Sequence, residues 1–162
     1  MLVLCTGTGC VRSNGTLSNQ TFKKTNATYT IGEVPEGWRR VSLRGADIAY
    51  MYDKDGSTLL INSQCEDAED APLVALTFHL IIGMTEQNII EQKAVASSDR
   101  EGLVTTAEAK LDGVKRKFQM FVLKKDLCIF DIVLAARPSK FDERLPAFES
   151  VLKGFNVPGA KL

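Results

Sequence analysis

Residues 102–136 read GLVTTAEAKLDGVKRKFQMFVLKKDLCIFDIVLAA. Three apolar-rich runs, 102–112, 114–124 and 127–136, are separated by Asp112-Gly113 and by Lys125-Asp126, each a short polar reversal. Long runs joined this tightly predict an antiparallel meander rather than strands crossed over by helices. In the last run Cys128, Phe130, Ile132 and Leu134 share a face, while Ile129 and Val133 make the other face apolar too. Such a strand is expected to be central and covered on both sides.

Working outward, residues 88–97 supply a further strand, and "PLVALTFHLIIGM" at 72–84 predicts a helix. Asp70 is placed to cap it and Pro72 to stand in its first turn. That helix is apolar almost all round, which predicts packing on more than one side. Earlier still, "YTIGEVPEGWRRVSL" reads as a short strand, a turn at residues 35–37 and a second strand from Trp38. "DIAYMYD" and "TLLINSQC" form a hairpin through Asp55-Gly56, with Leu59, Ile61, Ser63 and Cys65 on one face. After Pro138-Ser139, "FDERLPAFESVLKGF" predicts a final helix with Phe148, Val151, Leu152 and Phe155 as its buried stripe. The expected fold class is therefore α+β, an antiparallel β-sheet flanked by helices.

These segments resemble the PsbP/DcrB/LpqN-like superfamily. The resemblance rests on Pro35, Gly37 and Trp38 in the opening, the apolar helix, the "LDG" hairpin, "FVLKKDLCIFDIVLAA" and the closing Phe148…Phe155 helix, and covers roughly residues 29–157. It implies a PsbP-like α-β-α sandwich. Members include bacterial lipoproteins and exported proteins, photosystem accessory proteins and a nuclear-transport factor, so it implies a binding or assembly role without catalysis.

The start of the chain speaks of location. "GTGC", Gly7 to Cys10, resembles the end of a bacterial lipobox, in which the cysteine receives lipid. Gly7 stands where leucine is usual, and the apolar run Met1–Cys5 is short and lacks basic residues; a start further upstream would account for both. Residues 1–10 are thus read as the remnant of a lipoprotein signal with Cys10 as the lipidation site. Residues 11–27, polar and without periodicity, are read as a flexible tether, and 28–158 as a single domain. Asn14, Asn19 and Asn26 each begin an Asn-X-Thr triplet, read as accidental in a bacterial lipoprotein. If Cys5 leaves with the signal and Cys10 carries lipid, Cys65 and Cys128 remain, and an exported protein is expected to pair them.

Composition narrows the function. The 162 residues carry 20 Lys plus Arg against 20 Asp plus Glu, so no bulk charge draws the chain to nucleic acid or acidic lipid. No apolar run approaches the roughly 20 residues of a membrane-spanning helix, leaving membrane contact to an N-terminal lipid. Lys115 and Lys117 lack the interleaved exposed aromatics of a nucleic-acid platform. His79 is the only histidine, which argues against a Ser-His-Asp triad and a histidine-based metal site. The acidic stretch from Glu66 to Asp70 lacks the spacing and glycine of a calcium loop. No metal or other cofactor is expected.

The leading expectation is a non-catalytic envelope lipoprotein, an accessory module for an unidentified protein or envelope partner. Trp38, Tyr50 and Tyr52 form its candidate groove. Two alternatives stand beside it. One is a cytoplasmic DcrB-like chaperone. The other is a small-molecule enzyme, for which Asp47, Asp53 or Asp131 would have to cluster in a pocket with shifted pKa values.

Overall fold

The computed structural model describes residues 15–66 and 70–159. The expectations for residues 1–10, including lipidation of Cys10, lie outside them. Three short strands, β1 (Gly15–Ser18), β2 (Thr21–Lys24) and β3 (Ala27–Thr30), form a small antiparallel sheet. A second sheet contains β4 (Trp38–Val41), β5 (Ile48–Tyr52), β6 (Thr58–Gln64), β7 (Thr85–Ser97), β8 (Arg100–Leu111), β9 (Val114–Lys125) and β10 (Cys128–Ala136). Its order is β4-β5-β6-β10-β9-β8-β7, antiparallel throughout. Two helices, α1 (Leu73–Leu80) and α2 (Phe141–Lys153), complete an α+β fold.

The meander follows from its reversals. Asp112-Gly113 turns as expected. The second reversal falls at Asp126-Leu127, one residue later than the expected Lys125-Asp126, because Lys125 is still paired with Cys128 as the last residue of β9. Both reversals have positive φ, as two-residue hairpins matched to strand twist require. The register runs without slip from Lys125↔Cys128 to Lys117↔Ala136 and from Leu123↔Gly102 to Val114↔Leu111. β10 occupies the centre of the sheet, as expected. Its cover differs from expectation on one side. Cys128, Phe130, Ile132 and Leu134 are buried, whereas Ile129, Asp131 and Val133 are half-buried. The strand sealed on both faces is its neighbour β9, where Phe118, Met120, Phe121, Val122 and Leu123 all vanish from the surface. The cause is the position of α1, which lies over β9 and β8.

The helix α1 corrects two further expectations. It is not packed all round: Leu76 and Thr77 are buried, while Val74 and Phe78 are 43% and 42% exposed, and Ile82, in the turn past its end, is 75% exposed. Asp70 does not cap it. Pro72 stands at the cap, and the Asp70 carboxylate instead accepts a 3.0 Å hydrogen bond from Lys124 Nζ.

The main core lies between the large sheet, α2 and the small sheet. Phe148 and Val151 of α2 meet Phe121, Phe130 and Ile132, with Phe22 and Tyr29 closing the third side. Residues 11–27 were expected to be a tether; from Gly15 onward they are sheet, and the expected domain boundary at residue 28 cuts through β3. Phe22 is fully buried, its ring 5.2 Å from that of Tyr29. Four-residue strands offer one or two inward side chains each, too few to show as a period in the sequence. Gly32 fits the small sheet against α2, because a Cβ there would lie 1.8 Å from the Ser150 carbonyl oxygen.

Past α2, the tail is pinned against the same core beside the small sheet. Phe155 and Val157 are buried, and Asn156 bridges to Thr30. The buried Lys125 ammonium donates to the carbonyls of Val157 and Ser98, at 2.9 and 2.8 Å.

Candidate functional site

Several polar side chains gather at the end of the large sheet where β10 begins and β6 ends. The register of β5 on β6 sets Asp47, just before β5, opposite Asn62. Asn62 Oδ1 accepts the Asp47 backbone N–H at 3.0 Å, which fixes the Asp47 backbone. The Asp47 carboxylate accepts hydrogen bonds from Lys24 Nζ at 2.8 Å, Tyr29 Oη at 3.1 Å and Ser63 Oγ. Lys24 also donates to the Ser63 carbonyl at 2.7 Å. Burial and the neighbouring Asp47 carboxylate hold the Tyr29 phenol well above its ordinary pKa, so it stays a donor.

This cluster walls a cleft of about 450 Å³ between the β2–β3 turn, the β4–β5 loop and the end of β6. Lys24, Asn26, Arg44, Asp47 and Glu66 supply its polar groups, and Leu43 and Cys65 its apolar ones. Most of the polar groups are already engaged with one another. Lys24 is spent on Asp47, and Glu66 accepts from the Asn26 amide at 2.6 Å. Among the described residues that line it, the two carboxylates, Asp47 and Glu66, both accept hydrogen bonds from neighbouring side chains.

The three candidate carboxylates do not come together. Neighbouring residues on a strand point to opposite faces, so Ser63 and Asn62 carry their partners to opposite sides of the sheet. Asp47 sits with Ser63 and Tyr29 against the main core. Asp131 sits with Asn62, whose amide donates to it at 3.3 Å, on the side of α1. Its carboxyl is pushed up to about 6, chiefly by burial, with the Asp47 charge adding and the Asn62 hydrogen bond opposing. Asp53 lies on the surface, where it pairs with Arg39 at 3.0 Å.

The aromatic candidates gather on the α2 side of β4 and β5. Trp38 meets Tyr52 edge to face at 5.5 Å, and Arg40 lies 5.7 Å over the Tyr50 ring. The Arg144 guanidinium of α2 covers Tyr52 at 3.6 Å and forms a 2.8 Å ion pair with the half-buried Asp55. Burial works to raise the Asp55 pKa, and hydrogen bonds from Ser57 and Arg144 more than offset it, leaving the group below its ordinary value. Gly37 belongs to the same clasp: a Cβ there would lie 2.5 Å from the Tyr52 ring. The Trp38–Tyr52 pair and Arg144 therefore fasten the outer hairpin to α2.

Cys65 and Cys128 form a disulfide, with Cα atoms 4.1 Å apart. They continue the register that pairs Gln64 with Ile129, and both face the main core. Lys24, Tyr29, Asn62 and Ser63 were missed in the sequence. Lys24 lay in the supposed tether. Ser63 did leave a signal: a lone hydroxyl on the apolar face of Leu59 and Ile61 needs a buried polar partner.

No protein-family model matches the chain, and no curated protein sequence matches it. Solved structures do. LpqN of Mycobacterium tuberculosis, described as involved in cell envelope biogenesis, aligns with a TM-score of 0.61 at 12% identity, over 83% of this chain and 87% of its own. Cyanobacterial PsbP (CyanoP) from Synechocystis sp. PCC 6803 aligns at 0.57 and 13% identity, over 97% and 99%. A Pseudomonas aeruginosa protein of unknown function, PA94, aligns at 0.51 and 11% identity, over 83% and 90%. At such identities the likeness speaks for the fold, and the chain has the PsbP-like α+β fold.

Proposed function

We propose that the protein is a non-catalytic accessory module of a bacterial cell envelope, anchored by lipid at Cys10, that binds a protein or envelope component. The observation that carries this reading is the Cys65–Cys128 disulfide. Structural disulfides persist in oxidising compartments and are rare in the cytosol, which favours export over the cytoplasmic DcrB-like alternative. The similar LpqN fold, from a protein of cell envelope biogenesis, supports the same compartment. Among the described residues no helix is long and apolar enough to cross a membrane. The enzyme alternative needs its carboxylates in one pocket, whereas Asp53 pairs with Arg39 on the surface, and Asp47 and Asp131, though both bonded to Asn62, lie on opposite faces of the sheet. The open hollow at the Lys24–Asp47 cleft is the contact region we favour, since the rings of Trp38 and Tyr52 are engaged in packing.

Metabolic labelling with palmitate in a bacterial host, with the native leader in place, tests the anchor. The wild-type protein is expected to be labelled and to pellet with membranes, and Cys10→Ala to lose both properties. Thiol trapping in the same cells is expected to find Cys65 and Cys128 unreactive until reduced. Two reactive thiols on an unlabelled cytosolic protein would establish the cytoplasmic alternative instead.

A further inference from the structure

Leu127 is the most exposed large apolar side chain among the described residues, at 91%. It occupies the second position of the β9–β10 reversal with φ of +64°, a region that penalises any side chain with a Cβ. Asparagine-glycine or aspartate-glycine is the usual choice there, and this chain places Asp-Leu. A lone exposed leucine would require no explanation. This one has company. Leu43, 49% exposed, projects from the β4–β5 loop at the same end of the sheet, beside the cleft that Cys65 also lines.

The chain enters the described structure at this end as well. Gly15 pairs with Lys24, and Lys24 reaches the Ser63 carbonyl at 2.7 Å. One residue beyond the next turn position, Asn26 O lies 3.8 Å from Cys128 Sγ, and Cys128 follows Leu127 directly. Only residues 11–14 separate Cys10 from Gly15. Five residue steps, fully extended, span at most roughly 18 Å. An anchor at Cys10 therefore holds this end of the sheet close to the surface that receives the lipid.

We infer that the end of the sheet carrying Leu43 and Leu127 rests on a phospholipid bilayer, with both leucines seated at the boundary of headgroups and acyl chains. The inference builds on the lipid anchor proposed above and extends it: the folded domain itself meets the membrane, in one orientation. The contact is shallow and confined to the two leucines. Glu66 and Asp70 follow the end of β6 at this same end, Asp126 stands beside Leu127 and Arg44 beside Leu43, so it does not require anionic lipid. Ile82, 75% exposed, lies at the far end, just before β7 begins opposite Lys110. It is expected to face away from the bilayer.

The test supplies the anchor chemically, so it does not depend on whether cells lipidate the chain. The full-length protein carrying Cys5→Ser, its disulfide intact, is coupled through Cys10 to a maleimide lipid in phosphatidylcholine vesicles. Tryptophan is introduced as Leu127→Trp or as Ile82→Trp, two exposed sites where thermal unfolding is expected to report an intact fold. Brominated acyl chains are expected to quench the Leu127→Trp emission at least twofold relative to the parent, which retains Trp38 alone. The Ile82→Trp emission is expected to match the parent. Equal quenching at both sites, quenching at Ile82→Trp alone, or none at Leu127→Trp overturns the proposal while leaving the natural anchor to the palmitate experiment.

Discussion

Asp131 shows how one residue can set a pH dependence. Its carboxyl is pushed up to about 6 in the fold, against about 3.9 for a free aspartate. The folded state therefore binds the proton more tightly than the unfolded chain between about pH 4 and 6. Stability from this group is fully present below about pH 4 and is lost as pH rises through 6. Replacing the carboxylate by an amide removes that loss and keeps an oxygen to accept from Asn62. Asp131→Asn is expected to be more stable than wild type by on the order of 1–2 kcal/mol at pH 7.5 and equal to it near pH 4. Urea unfolding at the two pH values reads the difference, and a gap that does not change with pH would mean that the Asp131 charge is not its cause. The sequence placed Asp131 on the less-covered side of β10 only in retrospect. The alternation of Cys128, Phe130 and Ile132 was plain, but which helix left the other side half-open depended on contacts far along the chain.

At the scale of elements, legibility followed length. The hairpins β5–β6, β8–β9 and β9–β10 were readable because each strand repeats its pattern several times and polar residues mark the reversals, though the β9–β10 turn takes Leu127 in place of Lys125 and so falls one residue later than read. The helix α2 was readable for the same reason, from Phe148 and Val151. The small sheet was not readable: β2 buries a single phenylalanine between threonine and lysine residues. Phe22 nevertheless meets Tyr29, which meets Phe130 and Phe155, so the small sheet is part of the core. Of the site, the disulfide was legible from cysteine arithmetic and strand faces. The Lys24–Asp47–Tyr29 cluster was not, since it draws on three segments joined only by folding. Phe22→Ala is expected to cost about 3–5 kcal/mol, the usual range for emptying a buried phenylalanine site. Chemical denaturation measures it, and a loss under about 1 kcal/mol would return residues 15–24 to the status of a tether.

At the scale of the whole molecule, the disulfide joins the two strands on which the sheet turns. β6 closes the N-terminal hairpin and β10 closes the meander; α1, β7, β8 and β9 lie in the 63-residue separation between their cysteines. Seven residue pairs, from Gln64↔Ile129 to Thr58↔Ala135, already hold these strands together, so the native register does not depend on the bond. What the bond removes is freedom of the unfolded chain, and for a loop this long the chain-entropy estimate is about 4 kcal/mol. Measured bridges commonly give about 2–4 kcal/mol, and in a domain of this size each kcal/mol moves Tm by roughly 2–4 °C. Cys65→Ala/Cys128→Ala is therefore expected to keep the wild-type circular dichroism spectrum and to melt roughly 5–15 °C lower. The loss should be smaller still if the reduced chain keeps residual contact between β6 and β10, because the bond then has less disorder to remove. An unchanged Tm would show that the bridge adds nothing to equilibrium stability, and a chain that fails to fold would show that the β6–β10 pairing needs the bond to form at all.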